Sequence, residues 1–527
     1  MRPLFHLHFW LPYFPALFSG LLLTLCFPDP GIHYLAFVAL CPLLISLAPM
    51  TVRQSFLAGF AAGFVHFTTL IYWIVPTLST FGGLHVLLSV CALTLLCLYL
   101  SLYPALFACA LKILDPSPAV MPLAGACIWT GLEYVRTHLF TGFPWGVLGY
   151  SQFADRFLVQ MADITGVLGI SFVLVLCSTL ISTVWIQITA GSRPVGKRLF
   201  LRTRMCVCYT CIVLAASYGY GVLRIPQVAR QMAAAPKPVF AIVQGNIRQD
   251  LKWSPAFRQN TIEKYGNMSL EAARFNPDLI IWPETALPFY YGHDLDLSNQ
   301  VDRYVRRAKT HFLMGSPAVD TSGDPIRYFN RVFMLNHLSI PVGTYDKTHL
   351  VPFGEYVPFQ DLLFFLEKLT QQAGNFSRGE TGFAPLAFTD HKTGVLICFE
   401  ILFPSISRQF VKNGADILTT VTNDAWFGRT SAPAQHFSIA VLRAVENRRS
   451  VVRAANTGIS GFIDPIGQVF GTTQLFTDAV DVRSLPALTL YSFYTRHGDL
   501  LALACLIAMG IGFVVKEKEN IKRRFQP

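Results

Sequence analysis

The chain has 527 residues, of which 53% are hydrophobic and 14% are charged, and its mean hydropathy is +0.44. These values exclude an ordinary soluble domain and point to a membrane protein. The formal charge of +11 calls for no nucleic-acid partner, because the basic residues fall where a membrane topology would put them.

In chain order, the first 222 residues form a series of apolar blocks near 9–27, 32–49, 55–77, 84–112, 118–135, 165–189 and 203–221. An eighth block lies near 499–515. Each approaches or exceeds the ~18–20 residues that cross a bilayer core. The expected organisation is a membrane α-helical bundle over 1–222, of about seven helices. A last transmembrane helix follows at 499–516, then a basic tail at 517–527. FPDPG (27–31) reads as a turn, and no small-residue cleavage site follows the first block, so that block is expected to be retained.

Lys and Arg set the orientation. With a cytoplasmic N-terminus, thirteen of them fall in the inner loops and tail: Arg2, Arg53, Lys112, Arg193, Lys197, Arg198, Arg202, Arg204, Lys516, Lys518, Lys522, Arg523 and Arg524. Only Arg136 and Arg156 fall outside. This predicts that 222–498 faces outward and that the inner charge meets anionic lipid. Glu133 and Arg136, three apart near a helix end, read as a structural pair rather than a headgroup contact. Cys206, Cys208 and Cys211 lie in an apolar block without His partners, which favours packing over a metal site.

Residues 237–485 read as an α/β domain. Strand-like runs are 239–247, 278–284, 311–319, 331–336, 394–400, 416–424 and 450–458, mostly short, apolar and β-branched. Helix-like runs lie near 256–275, 297–310, 402–413 and 433–448. Of twelve cysteines in the chain, only Cys398 is in this domain. It therefore has no internal disulfide partner, and an unpaired thiol on an oxidising face is a liability unless it has a use.

Three residues carry the chemistry. Glu284, in IWPETALP, ends an apolar strand, where a carboxylate can face a cleft and serve as a general base. Lys347, in TYDKTHL, is an isolated cation suited to an oxyanion. Cys398, in GVLICFE, ends a strand before a helix-like run, whose N-terminus would lower the thiol pKa. Each alone has a bland alternative: a loop cap, a solvated lysine, an inert buried thiol. The external histidines show no metal-ligand spacing, and His436 in AQHF reads as structural. No metal and no cofactor is expected.

In this order the three motifs resemble the nitrilase superfamily, whose Glu–Lys–Cys triad sits on an αββα sandwich. Over the whole chain, TGFPWGVLGYSQ (141–152), LVPFGEYVP (350–358) and NDAWFG (423–428) are similar to the apolipoprotein N-acyltransferase family. The resemblance implies Glu284 as base, Lys347 as oxyanion stabiliser and Cys398 as nucleophile. Glu355 matches a second glutamate that positions the lysine, and Glu400 closes a Cys–aromatic–Glu motif. Phe399 stands where many relatives carry tyrosine. Trp253 and Trp426 match tryptophans near the site mouth, although anchoring loops at the membrane interface would explain them equally well. The implied reaction takes an acyl chain, from the sn-1 position of a phospholipid, to the α-amine of a diacylglyceryl-cysteine at an apolipoprotein N-terminus. This is the last step of lipoprotein maturation, with a thioester on Cys398. The implied setting is the bacterial inner membrane, with the catalytic domain periplasmic, surrounded by membrane lipids, and a monomer.

Two other readings compete: a membrane-anchored amidase or nitrile hydrolase, for which one anchor would suffice, and a transporter, which would carry broken or polar helices at the bilayer midplane. Segment 359–369, with its run of Leu and Phe, reads equally as core or as an arm dipping into lipid.

Overall fold

A computed structural model describes residues 11–190, 197–356, 376–380 and 382–525. The arm expected at 359–369 lies outside the described residues. The chain forms two compact units, one of Met1–Tyr72, Val90–Arg224 and His497–Pro527, the other of Trp73–Ser89 and Ile225–Arg496.

The first unit is helical. Eight spans were expected. Among the described residues, four helices are long and apolar enough to cross a bilayer: Val86–Leu114, Val167–Thr189, Arg204–Ala234 and Leu500–Arg523. A fifth is reached if Val52–Leu70 and Ile74–Phe81 count as one broken span. Hydropathy alone misses the reasons. The first block is helical only over Phe14–Leu25. The second is a 3-10 turn, His33–Phe37, followed by Cys41–Ser46. Helix Met121–His138 has 18 residues, but Glu133, Arg136 and His138 dilute its apolar character.

Small residues let these helices approach closely, as membrane helices must without a hydrophobic drive. Gly59 and Gly63, one turn apart, lie against Pro104, where a Cβ on Gly63 would come within 3.0 Å of the proline ring. Arg136 and Glu133 are buried and form the expected pair, 3.7 Å apart. Their main partners are backbone: Arg136 donates to the Trp145 carbonyl at 2.7 Å, and the Leu148 N–H donates to Glu133 at 2.8 Å. The pair thus pins the TGFPWGVL loop.

Among the described residues, the second unit holds twelve strands: β1 Val239–Gln244, β2 Leu279–Ile281, β3 His311–Asp320, β4 Arg327–Leu335, β5 Pro341–Asp346, β6 Leu386–Phe388, β7 His391–Ile397, β8 Ile417–Thr422, β9 Ser450–Ala455, β10 Gly461–Ile463, β11 Val469–Phe470 and β12 Ala479–Ser484. They form two six-stranded sheets, ordered β12-β1-β2-β3-β4-β5 and β11-β10-β9-β8-β7-β6. Each sheet has a parallel centre, β1-β2-β3 or β7-β8-β9, with antiparallel neighbours.

Those centres are the runs the sequence marks as strands, because strands covered on both faces are continuously apolar. The sheets meet face to face, with Phe240 of β1 edge-on to Phe388 of β6. Helices Pro255–Ala273 and Leu295–Ala308 cover the first sheet. Trp282, fully buried, stacks on Tyr265 there and donates to Ser269 at 2.8 Å. Helices Pro404–Lys412 and Ala432–Asn447 cover the second. The result is an αββα sandwich. The parallel strands of both sheets end at one edge, where ligands bind in open α/β sheets.

One membrane block is divided between the units. The sequence predicts a single helix over 55–77, yet the helix stops at Leu70. From Trp73 the chain packs into the second unit: the Trp73 indole donates to Gln435 at 3.3 Å and lies edge-on to Phe427.

Candidate active site

Glu284 follows β2, Lys347 follows β5 and Cys398 follows β7. Strand ends bring them to one place because each is fixed by a paired ladder while its side chain leaves the sheet.

Lys347 is 1% exposed. Its ammonium lies 2.9 Å from Glu355 Oε1 and 3.5 Å from Glu284 Oε1. Asn330 of β4 donates through Nδ2 to the same two oxygens, at 2.8 Å for Glu284 and 3.0 Å for Glu355. Glu284 Oε2 accepts the Asn423 N–H at 2.9 Å, and Glu355 Oε2 accepts the Val351 N–H at 2.8 Å. Two carboxylates are therefore held together by one cation and one amide. Burial works against the Lys347 charge, but Glu355 and Glu284 outweigh it and raise its pKa above the ordinary lysine range.

Glu400 is fully buried and ties the nucleophile turn to the lysine turn. Its Oε2 accepts the Ile397 N–H at 2.8 Å. Its Oε1 accepts the Thr348 N–H at 2.7 Å, the Tyr345 hydroxyl at 2.8 Å, the Thr348 hydroxyl at 2.9 Å and the His349 N–H at 3.1 Å. Residues on either side of Lys347 and the residue before Cys398 thus share one carboxylate.

Cys398 is half-buried and has φ +53°, a left-handed conformation that non-glycine residues rarely adopt. The sequence predicts a thiol acidified by a helix N-terminus, and the structure corrects this. A 3-10 turn, Cys398–Leu402, follows the strand, and the α-helix starts only at Pro404. Burial and then the Glu284 charge push the thiol pKa up, and Lys347 opposes them without prevailing.

Phe399 packs on His349 and Phe403, so the aromatic position is filled by packing. Trp426 lies edge-on to Phe81. Trp253 is 42% exposed. It follows Lys252, a buried lysine 3.4 Å from the Glu284 carbonyl whose pKa burial lowers to about 8. The structure thus joins Glu284, Lys347 and Glu355 by direct contact, sets Cys398 within the fields of Glu284 and Lys347, and links Glu400 to both turns. The two tryptophans are joined to this cluster by none of these bonds.

Sequence reasoning missed Asn330 and Asn423. Asn423 was signalled by its motif, NDAWFG. Asn330 lies in RYFNRV with nothing to mark it. Gly315 of β3 was also unmarked, yet the Glu284 segment lies directly on it. A Cβ there would come 2.7 Å from the Pro283 oxygen and 2.9 Å from the Glu284 Cα. Gly315→Ala should displace Glu284. Turnover is expected to fall about 10- to 100-fold, the scale of a misplacement of up to ~1 Å. Steady-state rates on the purified variant check this, and an unchanged rate would show that the Glu284 backbone has room to move.

A sandwich of this topology, with a buried glutamate–lysine pair and a strand-end cysteine, has the carbon–nitrogen hydrolase fold. The carbon-nitrogen hydrolase family model matches residues 240–490. The model of the apolipoprotein N-acyltransferase N-terminal domain matches residues 19–180. The apolipoprotein N-acyltransferase of Geobacter metallireducens is 39% identical over 95% of this chain and 94% of its own. That of Photobacterium profundum is 32% identical over 88% and 86%. A solved carbon-nitrogen hydrolase from Helicobacter pylori G27 is 15% identical, with a TM-score of 0.37, over 48% of this chain and 90% of its own. The chain belongs to the apolipoprotein N-acyltransferase family. It is an N-acyltransferase and a bacterial membrane protein.

Proposed function

We propose that this enzyme moves the sn-1 acyl chain of a phospholipid onto the α-amine of a diacylglyceryl-cysteine at an apolipoprotein N-terminus, by way of a thioester on Cys398. The observation that carries the reading is the Lys347 ammonium held between Glu284 and Glu355 beside a half-buried thiol. It supplies a base, an oxyanion donor and a nucleophile within one cluster.

Glu284 takes the thiol proton as sulfur attacks the ester carbonyl. Lys347 donates to the oxyanion. The C–O bond breaks, and the departing lysophospholipid oxygen takes the proton back from Glu284. The lipoprotein amine then attacks the thioester, loses a proton to Glu284 and displaces the thiol. The amide is more stable than the thioester, so no nucleotide is consumed. Glu355 and Glu400 position Lys347, and Trp253 and Trp426 line the approach of the lipid substrates.

The proposed arrangement is a bundle over 1–222 with a catalytic domain at 237–485, a helix at 499–516 and a cytoplasmic tail at 517–527. Eight crossings put the catalytic domain on the periplasmic side of the inner membrane, in a monomer. The Lys and Arg distribution supports this orientation.

The test is to incubate the full chain in bilayers with phospholipid alone, then map the mass of the Cys398 peptide. A hydroxylamine-labile fatty-acyl adduct on Cys398, chased by a diacylglyceryl lipopeptide but not by water, is the expected result. Rapid loss to water would make the chain a hydrolase, and an adduct elsewhere would remove Cys398 from the mechanism.

A further inference from the structure

His436, read from sequence as merely structural, lies under the nucleophile. It belongs to helix Ala432–Asn447 and is 1% exposed. Its Nε2 is 3.2 Å from the Cys398 carbonyl oxygen. Its Nδ1 is 3.1 Å from Asp424 Oδ1 and 3.0 Å from Arg453 Nη2. Arg453, fully buried in β9, also donates to Asp424 Oδ2 at 2.8 Å, and the Thr422 hydroxyl donates to Asp424 Oδ1 at 2.9 Å.

Two features make this more than a satisfied core histidine. Cys398 holds a left-handed φ, and such a conformation persists only where its surroundings over-determine it. The two sides of that residue are held by different groups: the preceding N–H of Ile397 by Glu400, and its own carbonyl by His436. The histidine network also reaches the base. Asp424 is the neighbour of Asn423, whose N–H donates to Glu284 Oε2. One short segment therefore registers both the nucleophile turn and the general base.

We infer that His436 is a positioning residue: through a proton on Nε2 it donates to the Cys398 carbonyl and, backed by Arg453 and Asp424, holds the nucleophile turn in register with Glu284. The proton on Nε2 follows from its partner: a carbonyl oxygen accepts only, so Nε2 must carry the proton. Nδ1 faces both the Asp424 carboxylate and the Arg453 guanidinium, which fix the ring from the other side. Burial, and next the Arg453 charge, lower the His436 pKa, while Asp424 opposes them. Arg453, then His436 and the Thr422 hydroxyl, compensate Asp424, whose pKa falls to about 2 despite burial.

The inference rests on the reading of Cys398 as nucleophile, and its test separates the two. In the full chain in bilayers, His436→Ala is expected to slow single-turnover acylation of Cys398 by phospholipid about 30- to 100-fold. KM for phospholipid should stay within about twofold, because no lipid contact is lost. His436→Gln, whose amide nitrogen can occupy the Nε2 position, should recover most of that rate. Alkylation of Cys398 by iodoacetamide, which needs no alignment with Glu284, should change less than about threefold. A wild-type rate in His436→Ala, a matching rise in KM, or a His436→Gln variant as slow as His436→Ala would overturn the proposal.

Nitrogen-15 spectra of the histidine-labelled full chain, with the His436 signals among its 13 histidines assigned by subtracting His436→Gln, read the tautomer without any substrate. Protonation at Nε2, alone or together with Nδ1, supports the proposal. A bare Nε2 overturns it even if His436→Ala fails to fold. A wild-type chain that takes no acyl group while Nε2 is protonated would instead count against the acyl-transfer reading.

Discussion

Glu284→Gln is expected to lower acyl transfer about 100- to 10,000-fold while making the Cys398 thiol more reactive toward a small alkylating agent. Glutamine is nearly isosteric, and its carbonyl can still accept from Asn330, so most of the cluster should persist, with only the Asn423 N–H losing its acceptor. What is lost is a base and a negative charge. That charge is the largest contribution after burial to the raised thiol pKa. With it gone, Lys347 acts on the thiol with less opposition, and the thiolate forms at lower pH.

The sign can be followed through. In the wild type burial and Glu284 hold the thiol pKa above the ordinary value of about 8.5, so the alkylation rate of Cys398 is expected to climb through pH 9 without a plateau. In Glu284→Gln the same curve moves to lower pH, and at pH 8 iodoacetamide should label Cys398 about three to ten times faster. Measuring both rates on one preparation decides the matter. If alkylation and transfer fall together, Glu284 shapes the turn instead of accepting the proton, and the general-base assignment is wrong.

A resting thiol in place of a resting thiolate changes how the site is understood. A thiolate is oxidised far more readily than a thiol. On the proposed periplasmic face, and with the proposed role of Glu284, a cysteine that ionises only when an ester carbonyl is in place would be protected between turnovers. That is the answer the proposed mechanism gives for a lone cysteine in this domain. The answer was not legible in the sequence, because it depends on the balance of burial, Glu284 and Lys347 around one sulfur.

Other features divide in the same way. The runs ending at Ile281 and Ile397 were readable as buried strands because their apolar residues are continuous, and so the placement of Glu284 and Cys398 at strand ends was readable too. Strands β10, β11 and β12 were not: β10 is buried but only three residues long, and β11 and β12 carry mixed, half-exposed residues without a period. Asn330 lies one residue before the run read as a strand, and only the β3–β4–β5 pairing brings its amide to two carboxylates. Several apolar blocks are not continuous long helices, for a related reason. Hydropathy sums residues without regard to whether the helix continues, and the turn at Ile71–Trp73 leaves composition untouched while redirecting the chain.

Lys347→Met should have an effect of comparable size, with a second signature in stability. The ammonium is buried between Glu355 and Glu284, and methionine fills the stem while leaving two carboxylates without their cation. Removing one partner of such a buried cluster costs about 3–5 kcal/mol, which should appear as a lower unfolding midpoint in detergent. Loss of the oxyanion donor should reduce transfer about 100- to 1,000-fold.

The pH dependence separates this from a nonspecific core defect. Because the folded pKa of Lys347 is raised, its contribution is complete below the unfolded value of about 10.4 and is lost only as pH rises through the higher folded value. The stability gap between wild type and Lys347→Met should therefore be present at neutral pH and close only in strong alkali. Adding Glu355→Gln removes one of the two stranded charges, so the double variant should regain much of the stability and none of the activity. If the double variant also regained transfer, Lys347 would serve only to neutralise Glu355, and the oxyanion would need another donor. If Lys347→Met lost stability but transferred acyl chains within threefold of wild type, the same conclusion would follow from the single variant alone.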